Sequence, residues 1–290
     1  MRLALGTVQF GLRYGIANQG GQVGHDEANR ILAVARTAGI STLDTAIAYG
    51  DSEACLGALG VRDFRVITKL PPATDVIDDT GRWVREHVAA SLARLRIPSL
   101  HGLLLHRSQQ LLGPRGQALV AALEQLKAGG VVERVGVSIY SPNELEPVMN
   151  VCTPDIVQAP FNLLDRRLLK SGWLARLARA GVAIHARSVF LQGLLLMPAA
   201  AIPAKLLPWR RLWHKRHDWL AGSRGVSAAA ACIGFVQSFP EVEKVVVGVD
   251  SAGQLEQIVE AAAVRPMTDW PAVDTADERL IDPSNWPSLQ

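Results

Sequence analysis

Short apolar segments alternate with longer segments of helical periodicity along the whole 290-residue chain. This alternation indicates parallel strands joined by helical crossovers, because a parallel neighbour cannot be reached through a tight turn. Eight strand–helix units in about 250 residues close a (β/α)8 barrel, so the sequence predicts a TIM barrel of the α/β class. The eight strands are predicted at residues 3–9, 42–46, 65–70, 101–106, 133–139, 156–161, 182–189 and 244–249.

The segments between the strands favour the same fold. Helices are predicted at residues 26–38, 80–96, 115–127 and 168–180, and Gly39, Gly129 and Gly181 are predicted to end three of them as C-caps. A doubly wound parallel sheet is the alternative. Such a sheet is expected to carry G-x-G-x-x-G after its first strand, whereas the sequence there is GTVQFG.

The chain shows no internal boundary. Because no Ser-, Pro- or Gly-rich linker divides it, residues 1–290 are predicted to form a single domain. Residues 197–224, after the seventh strand, are rich in Pro, Trp and Arg and are predicted to form an irregular loop that orders over bound ligand. A C-terminal tail from Arg265 onward is predicted to lie outside the barrel.

Residues 205–217 of that loop combine five basic residues with interleaved tryptophans. Such a pattern fits a nucleic-acid or phosphate site, or contact with an acidic or phosphorylated sugar. The alternative is a mobile loop that keeps its charges in solvent and its tryptophans on the barrel rim. We expect the second, because the net charge of the whole chain is only +3 and provides no general field for nucleic acid.

Cysteine content and hydropathy describe the expected environment. The three cysteines, Cys55, Cys152 and Cys232, are far apart and lack metal-ligand spacing, which predicts reduced core residues and no metal site. No stretch approaches the ~20 apolar residues of a membrane span, and polar residues interrupt the N-terminal segment that a secretory signal would need. We therefore expect a cytoplasmic protein, monomeric or a small homo-oligomer, without membrane or nucleic-acid partners.

Titratable side chains follow three consecutive predicted strands. Asp44 lies in the second, with Tyr49 in the loop after it, Lys69 is near the end of the third, and His106 ends the fourth. Each has an ordinary structural explanation when taken alone, such as a turn former, an aromatic lid, a solvated lysine or a core histidine. Because neighbouring strand ends converge in a barrel, the four are instead predicted to meet in one site.

The motifs around these residues resemble the aldo-keto reductase family. LDTAIAYGDSE at residues 43–53 is similar to the family signature, and VITKL and LLLHR follow in the family's order. The similarity extends from LGT near the N-terminus to VVVGVDSAGQLE near the last strand. It implies NAD(P)H-dependent hydride transfer between nicotinamide and an aldehyde, ketone or sugar carbonyl. It also implies that Asp44, Tyr49, Lys69 and His106 are the catalytic residues.

The resemblance assigns a role to each of the four. Tyr49 would exchange the proton with the carbonyl oxygen, and the Lys69 ammonium would favour ionisation of the phenol. Asp44 would hold Lys69 by pairing, and His106 would orient the carbonyl through a hydrogen bond. Tyr14, in the loop after the first strand, is predicted to contact substrate.

The same resemblance places the cofactor. Ser138 and Gln158 match positions that hold the nicotinamide amide, whereas the usual asparagine after the serine is Ile139. Arg187 stands where an aromatic residue usually stacks on the nicotinamide ring. The complete predicted cofactor-binding set is Gly6, Thr7, Asp44, Ser138, Gln158, Arg187, Gly248, Asp250, Ser251, Gln254 and Gln257.

Nucleotide preference depends on the stretch after the eighth strand. Family members mostly prefer NADPH, but here Gly248 and Val249 stand where a basic residue and a hydroxyl are expected, and Gln254 replaces an arginine. Asp250 would repel the ribose phosphate of NADPH, or alternatively would cap the following helix. The sequence therefore predicts a weak or reversed NADPH preference.

Two other functions stay open. One is a non-catalytic nucleotide-binding sensor or regulatory subunit, which the departures around the nicotinamide leave possible. The other is a Schiff-base lyase with Lys69 as nucleophile, which the neighbouring Asp44 disfavours because a carboxylate keeps an amine protonated.

Overall fold

A computed structural model describes residues 1–73, 78–223, 225–264 and 269–288. Eight parallel strands form a closed barrel in which each strand pairs with its sequence neighbours and the last pairs with the first. The predicted TIM barrel is confirmed. The strands are β1 (Leu3–Gly6), β2 (Thr42–Asp44), β3 (Arg65–Leu70), β4 (Leu100–Leu105), β5 (Val132–Ser138), β6 (Ile156–Pro160), β7 (Ala183–Arg187) and β8 (Val242–Gly248).

All eight predicted strands are present, but several end earlier than predicted. β1 stops at Gly6 because residues Val8–Phe10 turn into a short 3-10 helix, and β2 stops at Asp44. The apolar runs extend past the strand ends because the loops there are also buried, with Thr7 and Thr45 fully covered. A run of apolar residues therefore marks burial, which does not end where strand pairing ends.

Helices surround the barrel. Most strands are followed by at least one of them, and their apolar faces join the strands in one large core. The α-helices are α1 (His25–Thr37), α2 (Ser52–Leu59), α3 (Thr80–Leu95), α4 (Gly116–Ala128), α5 (Leu145–Val151), α6 (Arg167–Lys170), α7 (Trp173–Arg179), α8 (Arg210–Gly222), α9 (Ala228–Gln237), α10 (Ala252–Ala263) and α11 (Glu278–Ile281). Short 3-10 helices cover Val8–Phe10, Ser108–Leu112, Pro142–Glu144, Leu194–Leu196, Ala199–Ala201, Ala204–Trp209 and Pro283–Ser288.

The predicted helix ends are partly correct. Gly39 and Gly181 have φ values of +71° and +72° just beyond α1 and α7, the left-handed conformation that glycine adopts readily. Gly129 is the C-cap of α4, as predicted, with φ −77°, and the left-handed residue is the following Gly130. The predicted helix 168–180 is two helices, α6 and α7, separated at Gly172 with φ +78°.

The segment after β7 differs from the predicted irregular loop. Residues 197–223 contain the 13-residue helix α8 and two short 3-10 helices, while Arg224 lies outside the described residues. Its charges are not all in solvent. Arg216 is 5% exposed and donates to the carbonyl oxygens of Leu195 (2.5 Å) and Met197 (2.8 Å). Trp213 is buried as well, so this segment has an interior of its own.

The C-terminal residues cover that segment. Trp209 donates to Asp277 at 3.0 Å and Lys205 donates to the Trp286 carbonyl at 3.1 Å. Trp286 is buried, and the Thr275 amide donates to the Leu164 carbonyl. The predicted tail therefore lies outside the barrel, against α8 and the loop after β6, although residues 265–268 where it starts lie outside the described part.

Candidate active site

A cavity of about 520 Å³ opens at the carboxyl ends of the strands. Its wall contains the last residues of β1, β2, β5, β7 and β8, because parallel strands in a barrel all end on the same face. Twelve of the predicted site residues line it, and two do not: Lys69, which lies beneath Asp44, and Ser251. The twelve are Gly6, Thr7, Asp44, Tyr49, His106, Ser138, Gln158, Arg187, Gly248, Asp250, Gln254 and Gln257.

Asp44 and Lys69 form a buried ion pair at the floor of the cavity. Lys69 Nζ lies 2.6 Å from Asp44 Oδ1 and donates to the Thr45 carbonyl at 2.8 Å. The lysine side chain is 1% exposed and that of the aspartate is 6% exposed. Asp44 Oδ2 accepts a hydrogen bond from Gln158 Nε2 at 2.6 Å. Each carboxylate oxygen therefore has a partner, which is what a charge at this depth requires.

Tyr49 lies above that pair and beside His106. Lys69 Nζ is 5.2 Å from the centre of the Tyr49 ring, and the Tyr49 and His106 rings meet edge to face with centroids 5.8 Å apart. A tight turn positions the phenol. Gly50 has φ +54°, and a Cβ on the facing Gly11 would lie 1.8 Å from the Tyr49 carbonyl oxygen, so glycine is required there. The four predicted catalytic residues are thus close together.

Burial controls the protonation of both rings. Burial, helped by the negative charge of Asp44, raises the pKa of Tyr49 well above its ordinary value, and Arg187 opposes this. The net direction is opposite to the one predicted from Lys69, because the loss of solvent around the buried phenol outweighs the nearby positive charge. Burial and the Lys69 charge lower the pKa of His106 to about 4. At neutral pH both groups are uncharged, and each keeps one proton to donate.

Ser138 and Gln158 lie side by side at the ends of β5 and β6, where the two residues are paired in register. Both are buried, and within the described residues the Ser138 hydroxyl has no hydrogen-bond partner. The Gln158 amide instead binds Asp44, which joins the predicted cofactor residues to the ion pair. Ile139, which follows the serine, is fully buried and presents no polar group.

Arg187, the last residue of β7, reaches toward the end of β5. Its guanidinium lies 4.4 Å from the centre of the Tyr140 ring and donates to the Ile139 carbonyl at 2.9 Å and to Ser188 Oγ at 3.1 Å. Ser188 has φ +57°, so the chain turns sharply directly after the arginine. The side chain is half-buried at the cavity wall.

The end of β8, the strand next to β7, forms another part of the wall. Gly248 leaves room for Gln9, since a Cβ there would lie 2.6 Å from Gln9 Nε2. Asp250 does not cap α10. Its carboxylate accepts from Asn18 Nδ2 at 2.9 Å, whereas Ser251 is the N-cap and accepts from the Gln254 amide. In return, Gln254 Oε1 accepts from the Asp250 amide at 2.7 Å. These internal bonds occupy Ser251 and Gln254, the two residues that were expected to touch a ribose phosphate.

Several cavity residues were not predicted. Gln9 and Asn18 come from the loop after β1, and Tyr140 from the loop after β5. In the sequence, only the position of these residues after a strand could have indicated that they line the cavity. Tyr14, predicted to contact substrate, does line the cavity and lies 3.4 Å from Gln192. The basic residues of 205–217 do not line it, because the lining from that region ends at Met197.

Neither a metal site nor a membrane-spanning helix is found in the described ranges. No group of three or more His, Cys, Asp or Glu side chains there could hold a metal ion. Within the same ranges, no helix combines the length and the apolar character needed to cross a bilayer.

Fold and site together define a (β/α)8 barrel with titratable side chains gathered at the carboxyl ends of its strands. The profile of the aldo/keto reductase family matches residues 2–278, and the chain belongs to this family. Members of the family are oxidoreductases that generally use NAD(P)H.

Relatives found by sequence are distant but nearly full-length. The chain is 29% identical to D-threo-aldose 1-dehydrogenase of a Pseudomonas species, with 96% of each chain covered. It is 26% identical to 6-dehydroglucose reductase of Novosphingobium aromaticivorans, covering 88% of this chain and 87% of the relative. An uncharacterized oxidoreductase of Bacillus subtilis, YqkF, is 24% identical, with 84% of this chain and 85% of the relative covered.

Solved structures support the fold. Aldo-keto reductase AKR11C1 of Bacillus halodurans, in its holo form, superposes with a TM-score of 0.75 at 21% identity, over 92% of this chain and 88% of that one. The glycerol dehydrogenase AKR11B4 of Gluconobacter oxydans superposes with a TM-score of 0.73 at 24% identity, over the same shares of the two chains.

Proposed function

We propose that this protein transfers a hydride between a nicotinamide nucleotide and the carbonyl carbon of a small aldehyde, ketone or sugar, with Tyr49 as the proton donor and acceptor. The observation that carries the proposal is the buried Lys69–Asp44 pair beneath the Tyr49 ring, next to His106, at the floor of a cavity large enough for a ligand. A sugar is favoured as substrate because two relatives are named for 6-dehydroglucose and a D-threo-aldose.

In the reaction, the protein supplies a proton and orients the carbonyl group. Reduction of a carbonyl develops negative charge on oxygen, which a nearby phenol relieves by giving up its proton. Tyr49 keeps that proton at neutral pH because burial raises its pKa. His106 is neutral and donates a hydrogen bond without competing for the proton. The Lys69 charge stabilises the phenolate that remains after transfer.

The cavity fits a nicotinamide nucleotide. The Ser138 hydroxyl has no protein partner in the described residues, and Gln9 Oε1 is buried and unpaired beside Gly248. Such groups need a ligand or water. Ser138 and Gln158 would hold the carboxamide, and Gly6, Thr7, Gly248 and Gln257 would line the path of the nucleotide. When bound, the nucleotide supplies or accepts the hydride.

The proposed nucleotide preference is weak or reversed relative to NADPH. Asp250 places a carboxylate at the end of β8 where its negative charge repels a ribose phosphate, and Ser251 and Gln254 are bonded within the α10 cap. Among the described residues, Arg187 is the one lysine or arginine that lines the cavity, and it reaches toward β5 rather than toward β8.

Tyr49→Phe tests the proposal. With aldehydes, ketoses and sugar lactols as substrates, and with NADH and NADPH, the variant should lose about 10²–10⁴-fold in turnover, the usual contribution of a general acid. Nucleotide affinity, measured by titration, should stay within about threefold, because the change removes one hydroxyl and keeps the ring. Turnover unaffected by this substitution contradicts the assignment of Tyr49.

Two outcomes would indicate the other functions. Tight nucleotide binding without turnover of any carbonyl would identify a sensor or regulatory subunit. A substrate adduct trapped on Lys69 by borohydride would identify a Schiff-base lyase. The structure disfavours the lyase, because Lys69 is ion-paired, 1% exposed and absent from the cavity lining.

A further inference from the structure

Arg187 carries a positive charge that no carboxylate of the described chain neutralises. Its partners among the described residues are neutral: the Ile139 carbonyl, the Ser188 hydroxyl and the Tyr140 ring. A guanidinium has five N–H groups, so three remain without a protein acceptor among the described residues. An arginine in a pocket wall with free donors and no counter-charge is arranged to receive an anion.

The surroundings of Arg187 strengthen its positive field. Arg107, which follows His106, places its guanidinium 4.0 Å from the centre of the same Tyr140 ring. The two carboxylates of the cavity wall do not compensate these charges. Asp44 is paired with Lys69, and Asp250 is bonded to Asn18 beyond the end of β8. The cavity is therefore positive on the side of β5 and β7.

This positive side is the reacting end of the cavity. Arg187 lines the same cavity as Tyr49 and His106, and the Tyr140 ring that it contacts is also contacted by Arg107, the residue after His106. From β7 it reaches toward Ile139 and Tyr140 after β5, away from the neighbouring strand β8 that precedes Asp250 and Gln254. An anion bound by Arg187 would thus be part of the molecule whose carbonyl faces Tyr49.

We propose that Arg187 binds a carboxylate on the substrate, and that the carbonyl compounds this protein acts on are acids such as aldehyde acids or sugar acids. The proposal rests on the function proposed above. The planar guanidinium, held against Tyr140, matches the two oxygens of a carboxylate, whereas a neutral substrate would cover the charge without pairing it. The basic segment 205–217 takes no part, because it does not line the cavity.

The test uses two four-carbon aldehydes that differ only at the far end, succinic semialdehyde and butanal. The wild-type protein should show a kcat/KM about 10–100-fold higher for the acid, the range of one charge-assisted bidentate contact. In Arg187→Met the ratio of kcat/KM for the acid to kcat/KM for butanal should fall by that factor. Arg179→Met, which removes one positive charge from the exposed end of α7, is the matched control and should retain the preference.

Binding provides a second readout that does not require turnover. Calorimetric titration with succinate, which has no carbonyl to reduce, should show binding to the wild type and to Arg179→Met but not to Arg187→Met. Circular dichroism and the melting temperature establish that each variant is folded.

The possible failures are distinct. Equal kcat/KM for the two aldehydes, or a preference that survives Arg187→Met, overturns the proposal. A second result also overturns it: Arg187→Met loses nucleotide affinity, and kcat/KM falls by the same factor for both aldehydes. That result would show that the arginine binds the nicotinamide, as the sequence predicted. If the wild type binds nucleotide but reduces no carbonyl, the proposed function fails instead, while succinate titration still decides whether Arg187 is an anion site.

Discussion

Replacing Lys69 by methionine would isolate the energy of the buried pair at the centre of the site. Methionine keeps most of the side-chain volume but removes the ammonium, so Asp44 Oδ1 loses the partner at 2.6 Å and the Thr45 carbonyl loses its donor. Asp44 Oδ2 keeps the bond from Gln158. Removing one partner of a buried pair leaves an uncompensated charge and typically costs about 3–5 kcal/mol. We expect the free energy of unfolding of Lys69→Met to fall by that amount.

Urea unfolding followed by tryptophan fluorescence and circular dichroism measures this loss. Lys170→Met is the matched control, because Lys170 pairs with Asp274 while 65% exposed, and such pairs contribute less than about 1 kcal/mol. The double variant Asp44→Asn/Lys69→Met removes the stranded charge and should regain at least about 2 kcal/mol. The reasoning is refuted if Lys69→Met loses no more than the control, or if the double variant is no more stable than Lys69→Met.

Three further outcomes are expected. Because the pKa of His106 is lowered to about 4, the unfolded chain takes up a proton there as the pH falls from about 6.5 to 4 and the folded chain does not. Stability should therefore decrease on acidification across this window, with a slope up to about 1.4 kcal/mol per pH unit steeper than in His106→Gln; equal slopes would contradict the assignment. The dissociation constants of NADH and NADPH should agree within about tenfold, or ~1.4 kcal/mol, and Asp250→Asn should shift the ratio toward NADPH; a hundredfold wild-type preference for NADPH would contradict the role of Asp250. Arg216→Met should lower the unfolding free energy by about 1–3 kcal/mol through two unpaired carbonyls, whereas the exposed Arg211→Met should not; equal losses would show that the buried bonds contribute little.

The order of secondary structure could be predicted from the sequence because it depends on local patterns. Apolar runs separated by helical segments fix the number of strands, and all eight are observed. Motif order then placed Asp44, Tyr49 and His106 after neighbouring strands, and barrel closure brings such positions together. Where segment ends depend on longer-range packing, the predictions were less accurate, as with the helix divided at Gly172.

Segment 197–223 shows what local composition could not reveal. Its Pro, Trp and Arg content indicated a solvated loop. Instead, Arg216 of α8 is buried against the turn after β7, and the C-terminal residues cover Trp209. An arginine is stable there because two carbonyl oxygens accept hydrogen bonds from its guanidinium. Which carbonyls lie within reach depends on chain segments up to 21 residues away, and no local pattern specifies them.

Composition and motif therefore determined the barrel and the identity of the groups at its strand ends, because both follow from periodicity and residue type along the chain. The tertiary structure decided how those groups are charged and paired. Lys69 contacts Asp44 across 25 residues, Gln158 contacts the same carboxylate across 114, and Arg187 reaches Ile139 across 48. Protonation and affinity depend on burial and on distances between such groups, and folding alone sets these quantities.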